Sequence, residues 1–214
     1  LSDAGKRVVV VALSKEYSKE YELPQNLEAV GLIVMGDRVR TNANETLRYF
    51  YEQGVDVKII SGDNAKTVSN IALQAGVEGA ERYIDASEIK TDEQMQEAVL
   101  RYNVFGRVTP EQKKLMIEKL KKAGKTVAMM GDGVNDVMAL KESDCSIAVA
   151  SGSDAAKNIA SFVILDSDFR HLPSAVLEGR KVINNIENVS TMFITKTIYS
   201  VLLALFSMFF MDIG

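Results

Sequence analysis

Two hydrophobic patterns alternate along most of the chain. Short apolar runs at residues 8–13, 30–35, 55–60, 83–86, 104–108, 126–130, 145–149 and 161–165 predict strands. Helical spacing falls between them, over residues 41–53, 89–102, 110–123 and 136–142. After Asp63, the residues Val68, Ile71, Ala72 and Ala75 share one helical face, and Gly76 stands where a helix-ending glycine belongs. In the same way Ala43, Leu47 and Phe50 share a face ahead of Gly54. The polar stretch around Pro24 reads as a link. Strands alternating with helices imply an α/β fold, a parallel sheet covered on both faces. Ligands then gather off the carboxyl ends of the strands.

The pattern changes from Pro173 onward. Val176, Gly179, Ile183 and Ile186 make a single buried stripe, and residues 197–211 then hold no charge. Lys196 is the only charge between Asn188 and Asp212. A membrane span needs about 20 mostly apolar residues. This run qualifies if Lys196 snorkels to an interface or pairs inside a bundle. The alternative is a buried helix of a soluble protein. One helix from Pro173 to Met211 would be about 60 Å long, more than a domain of this size accommodates.

Composition narrows the choice of partners. The 214 residues are 47% hydrophobic and 25% charged, enough for one main domain with a sizeable core. The net charge of −4, with no basic patch interleaved with aromatics, argues against nucleic acid. A single cysteine, Cys145, excludes an internal disulfide and fits a reducing compartment. His171, the one histidine, has no neighbouring Cys or His for a zinc site.

Three short segments carry candidate chemistry. Gly131-Asp132-Gly133-Val134-Asn135-Asp136 follows an apolar run and packs two carboxylates and an amide into one loop. Mg²⁺ takes hard oxygen ligands and keeps several waters, so one or two carboxylates suffice. Ser61-Gly62-Asp63 sits at a strand-to-helix junction, where a hydroxyl, backbone amides and the helix dipole suit a phosphoryl oxygen. An ordinary helix cap explains the same three residues. In Arg107-Val108-Thr109-Pro110-Glu111-Gln112-Lys113, Thr109 and Gln112 form a capping box around Pro110. That places Lys113 in the first helical turn, where the dipole disfavours a cation. Such a lysine needs solvent or an anion. All three segments fall at strand ends, which points to one site.

Together these motifs resemble the phosphorylation domain of P-type cation-transporting ATPases, within the haloacid-dehalogenase-like superfamily. Ser61-Gly62-Asp63 resembles the family's Thr-Gly-Asp motif, Arg107 to Lys113 its lysine motif, and Gly131 to Asp136 its Gly-Asp-Gly-Val-Asn-Asp signature. Asp37-Arg38-Val39-Arg40 resembles its Asp-Pro-Pro-Arg hinge, without the prolines that would stiffen it. The family's nucleophile, the Asp of Asp-Lys-Thr-Gly-Thr, is absent from this sequence.

The resemblance implies a haloacid-dehalogenase-like Rossmannoid parallel sheet plus a long stalk and membrane helix. It implies three segments: residues 1–29 ending a nucleotide-binding domain, 30–172 forming the phosphorylation domain, and 173–214 forming the stalk and fifth membrane helix. It assigns Ser61, Gly62, Asp63, Lys113, Asn135 and Asp136 to catalysis, Asp37, Arg40 and Arg107 to nucleotide or phosphate contacts, and Asp132 to Mg²⁺. ATP is the implied substrate. The implied partners are membrane lipid, the pump's nucleotide and actuator domains, and a transported cation, with calcium preferred. The soluble part would lie on the cytoplasmic side of the cell membrane, and the segment alone would be inactive. Other classes with the same acidic loop are a soluble haloacid-dehalogenase-like phosphatase and a non-catalytic Mg²⁺- or phosphate-binding module. A structural membrane protein rests on the tail alone.

Overall fold

The computed structural model describes residues 7–14, 26–35, 39–40, 42–166 and 168–211. Pro24, Asp37, Arg38 and Asp212 lie outside the described residues. Two compact units divide the chain, Leu1–Arg170 and His171–Gly214.

The first unit opens on an antiparallel ribbon of β1 (Arg7–Leu13) and β2 (Glu28–Met35), with Val9 opposite Ile33 and Val10 opposite Leu32. Both strands are apolar along their length, and Val10, Val30, Leu32 and Ile33 are all exposed. The strand expected over residues 30–35 therefore pairs backwards with β1 and joins neither parallel sheet.

Two three-stranded parallel sheets follow. The first has the order β3-β5-β4, from β3 (Ile59–Ile60), β4 (Tyr83–Asp85) and β5 (Val104–Gly106). Its helices are α1 (Ala43–Glu52), α2 (Ala65–Ala75), α3 (Asp92–Arg101) and α4 (Pro110–Lys122). The second has the order β6-β7-β8, from β6 (Ala128–Gly131), β7 (Cys145–Val149) and β8 (Phe162–Ile164). It carries α5 (Val137–Glu142) and α6 (Asp154–Ile159).

Local chemistry starts and stops these elements. Thr109 accepts from the Gln112 amide at 3.2 Å while the Gln112 side chain accepts from the Thr109 amide at 3.1 Å, closing the expected capping box on α4. Thr91 and Gln94 repeat the device on α3. Gly76 ends α2 in the left-handed region, φ 87°. The cap of α2 is Asn64, whose side chain accepts from the Lys66 and Thr67 amides, which leaves Ser61 and Asp63 out of capping. The α6 helix was not legible in the hydrophobic pattern: it is short, and its signal is the Ser153 cap over the Ala156 amide.

One core joins the two sheets. Phe105 of β5, Met95 and Val99 of α3, Met116 and Ile117 of α4, Met129 of β6, Leu140 of α5 and Ala148 of β7 pack into one buried cluster. Burial of each large side chain contributes about 1.5–3 kcal/mol relative to exposure. Gly106 sets a close approach: a Cβ there would lie 2.2 Å from the Ala65 Cα, so the start of α2 rests on the end of β5. That contact brings the Ser61 loop beside the loop after β5.

The second unit is the helix α7 (Leu172–Met211), 40 residues long. By length and composition it can cross a membrane. Its threonine and serine hydroxyls at Thr191, Thr195, Thr197 and Ser200 bond to carbonyls one turn back. That is how such groups satisfy themselves at membrane depth.

Candidate active site

The carboxyl ends of β3 and β6, with the first turn of α4, open on one cleft of about 480 Å³. Ser61 and Gly62 line it from the loop after β3, Lys113 from α4, and Gly131, Asp132 and Asp136 from the loop after β6. Arg40 and Phe169 complete the rim. The convergence follows from parallel strands, which all present their carboxyl ends on one side.

Lys113 and Asp136 form the centre. Lys113 Nζ donates to Asp136 Oδ1 at 2.6 Å, with side-chain exposures of 13% and 10%. The anion that an unfavourable first-turn lysine requires is therefore Asp136. The other oxygen, Oδ2, accepts from the Gly133 amide at 3.2 Å. Asp136 thus holds both the lysine and its own loop. Glycine at position 131 is required: a Cβ there would sit 2.6 Å from the Asp136 Cβ. A Cβ at Gly152 would likewise sit 2.7 Å from the Asp132 carbonyl oxygen, which accepts from the Ser153 amide at 2.7 Å.

Asp132 itself is exposed and lines the cleft. Among the described residues, no group of three or more His, Cys, Asp or Glu side chains is gathered for a metal. One open carboxylate does not make a protein-only cage. It does suit Mg²⁺, which keeps its waters and takes phosphate oxygens as further ligands. The Ser61 hydroxyl accepts from the Asp63 amide at 3.1 Å, which leaves its own O–H to donate.

The remaining candidates divide. Arg40 reaches the cleft. Asn135 is exposed and does not line it, and neither does Asp63. Arg107 takes a left-handed backbone, φ 51°, and its amide donates to the Asp63 carbonyl at 2.7 Å. Its guanidinium pairs with Asp85 at 3.2 Å, away from the cleft. The Ser87 hydroxyl and, less strongly, Arg107 hold the Asp85 carboxyl below the usual range. Arg107 therefore braces the loop after β3, part of which lines the cleft, against the end of β4. Asp37 lies outside the described residues. Asp168, which no motif marked, accepts from Asn42 and pairs with Arg40 and Arg170.

Cys145 is half-buried in β7, and burial pushes its thiol up, away from reactivity. A second hollow of about 540 Å³ lies between α1 and the end of α2. Several of its polar groups are already engaged, Arg48 with Glu52 at 2.9 Å and the Tyr51 hydroxyl with the Glu78 amide at 2.9 Å.

Comparison with known proteins follows the same geometry. The family model for haloacid dehalogenase-like hydrolases matches residues 4–144. A probable cation-transporting ATPase, exp7, of Streptococcus pneumoniae is 48% identical over 204 residues, covering 94% of this chain and 26% of its own length. The calcium-transporting ATPase CtpE of Mycobacterium tuberculosis is 45% identical over 202 residues, covering 94% of this chain and 25% of its own. The chain thus spans about a quarter of the length of these relatives. A solved zinc-transporting PIB-type ATPase in its E2.Pi state shares the fold, with a TM-score of 0.62 over 87% of this chain and 25% of that one, at 24% identity.

Proposed function

Since the chain belongs to the haloacid dehalogenase-like hydrolases, and its relatives are cation-transporting P-type ATPases, we propose that it is the phosphoryl-handling part of an ATP-driven membrane pump. The observation that carries this reading is the single cleft shared by Ser61, Gly62, Lys113, Asp132 and Asp136.

The nucleophile is a carboxylate supplied by a part of the pump outside this sequence. The two sheets support its place. β3 ends the first sheet and β6 ends the second, and Ile60, Met129 and Met130 of these strands all line the cleft. Among the described residues β3 and β6 are each paired on one edge only, so an extended segment between them would find a strand edge on each side, at the cleft that Lys113 also lines.

The residues present divide the work. Asp132 would hold Mg²⁺, which when bound neutralises charge on the phosphoryl group in transfer. Lys113, kept in place by Asp136, offers a compact positive charge to the phosphoryl oxygens. The Ser61 O–H and the Gly62 amide, from residues lining the same cleft, would donate to the phosphoryl oxygens. Arg40 contributes at the rim. The covalent intermediate divides one difficult transfer into two easier steps, each favouring a different arrangement of the ion path. Residues 30–172 are the catalytic domain in this reading, and residues 173–214 are the stalk and membrane helix, with the catalytic domain on the cytoplasmic side. Calcium is the proposed cargo, on the strength of relatives named as calcium transporters.

Labelling of source membranes with ATP and Mg²⁺, then capture with an antibody to this segment, tests the reading. A large, hydroxylamine-sensitive phosphoprotein whose labelling depends on calcium is expected. Capture of an unlabelled product of this size overturns it.

A further inference from the structure

Asp168 lies outside every motif and outside the cleft lining, yet it gathers more cationic and polar contacts than its surroundings explain. Its carboxylate pairs with Arg40 at 3.8 Å and with the Arg170 side chain at 3.2 Å. It accepts from the Asn42 side chain at 3.5 Å and from the Arg170 amide at 3.1 Å. The Asp168 side chain is 16% exposed, against 52% for Arg40 and 56% for Arg170. One sheltered carboxylate therefore serves as the hub for two exposed guanidiniums. These contacts, the Arg170 amide first, hold it below the usual carboxylate range.

The position of the hub gives it meaning. Asn42 and Asp168 are 126 residues apart in sequence, one entering α1 and the other four residues before α7 begins. Each segment also places a residue on the cleft rim, Arg40 from the first and Phe169 from the second. The entrance and the exit of the catalytic unit are thus tied at one carboxylate beside the phosphoryl site.

We propose that Asp168 is a positioning residue that ties Arg40 at the cleft rim to the segment leading into α7. It passes the charge state of the cleft to that segment. The tie is built to yield: Arg40 is half exposed and its contact with Asp168 is long. A phosphoryl group in the cleft offers Arg40 a stronger, charge-assisted partner. When Arg40 turns to it, Asp168 keeps only Arg170 and Asn42, and the segment ahead of α7 is freed on one side. The structure gives Asp168 this role through Arg40; it touches no reacting atom. The inference rests on the proposed pump reading.

Two measurements test it. In the full-length pump, Asp168→Asn should keep phosphoenzyme formation from ATP but lower turnover about tenfold, less than the roughly hundredfold cost of a 1 Å misplacement because Asp168 acts only through Arg40. Asp168→Glu should recover part of the loss. In an Arg40→Gln background, Asp168→Asn should add nothing, because the partner it positions is gone. Wild-type turnover in Asp168→Asn, or effects that multiply in the double variant, would overturn the proposal. A wild-type pump that never labels would instead defeat the pump reading. The second measurement does not need turnover. In the 214-residue chain in detergent, Asp168→Asn should speed amide hydrogen exchange at Ala43 and Thr46 while leaving Phe105 and Met129 protected. Unchanged exchange at Ala43 and Thr46 would show that no tie exists.

Discussion

Replacing Lys113 with Met is the most informative single change. It removes the cation 2.6 Å from Asp136 and keeps most of the aliphatic volume. The Asp136 side chain is 10% exposed, so the carboxylate is left without its countercharge in a poorly hydrated place. Breaking a buried pair from one side costs about 3–5 kcal/mol. The Gly133 amide still donates to Oδ2. That remaining bond favours the lower end, about 3 kcal/mol. For a unit of this size, about 1 kcal/mol moves Tm by roughly 2–4 °C, so a drop of about 6–12 °C is expected. The assay is thermal unfolding of the detergent-solubilised chain by circular dichroism. Asp136→Asn and the double variant complete a cycle. In the double variant no lone charge remains, so much of the loss should return and the two effects should not add. A drop below about 2 °C for Lys113→Met, or additive losses, would refute the claim that this pair holds the site together.

Other expectations follow from single contacts. Asp132→Asn in the full-length pump should abolish Mg²⁺-dependent phosphorylation; unchanged phosphoenzyme would remove Asp132 from the metal role. Gly106→Ala should destabilise by about 3 kcal/mol, because the new Cβ meets the Ala65 backbone at 2.2 Å, a neighbour that cannot rotate away. A melt within 2 °C of wild type would contradict that packing. Asp144 accepts from the Val127 amide, its largest influence, and is also drawn down by Lys121, so its folded carboxyl lies below the usual 3.8. A depressed carboxyl contributes stability above its unfolded pKa and loses it as pH falls through the folded one. Asp144→Asn should therefore lower stability at neutral pH and flatten the decline below about pH 4. An acid limb identical to wild type would exclude this contact.

Much of the architecture could be read without coordinates. The Thr109 capping box, the Gly76 stop and the strand at Cys145–Val149 all appear where spacing placed them. Each depends on residues within about four positions of one another, a range that a linear pattern records directly. Shorter elements escaped for the same reason: six residues of α6 cannot show a helical period. The expected strand over residues 55–60 shrinks to Ile59–Ile60, because only those two find a ladder partner on β5.

The site divides along the same line. Its position was legible in part: hydrophobic runs mark strand ends, and Ser61, Gly62, Lys113, Asp132 and Asp136, picked out near such ends, share one cleft, while Asp63, Asn135 and Arg107 do not line it. Its wiring was not. Lys113 and Asp136 stand 23 residues apart, and their pairing depends on how α4 packs beside the loop after β6. Arg107 was expected near phosphate, yet Asp85 from a neighbouring strand end claims its guanidinium. Asp168 carried no motif, since its contacts come from Arg40 and Asn42, the latter 126 residues away in sequence. Backbone preference and hydrophobic period are short-range properties, and they travel with the chain. Which charge meets which is decided only when strands distant in sequence stack into one sheet edge and expel the water between them.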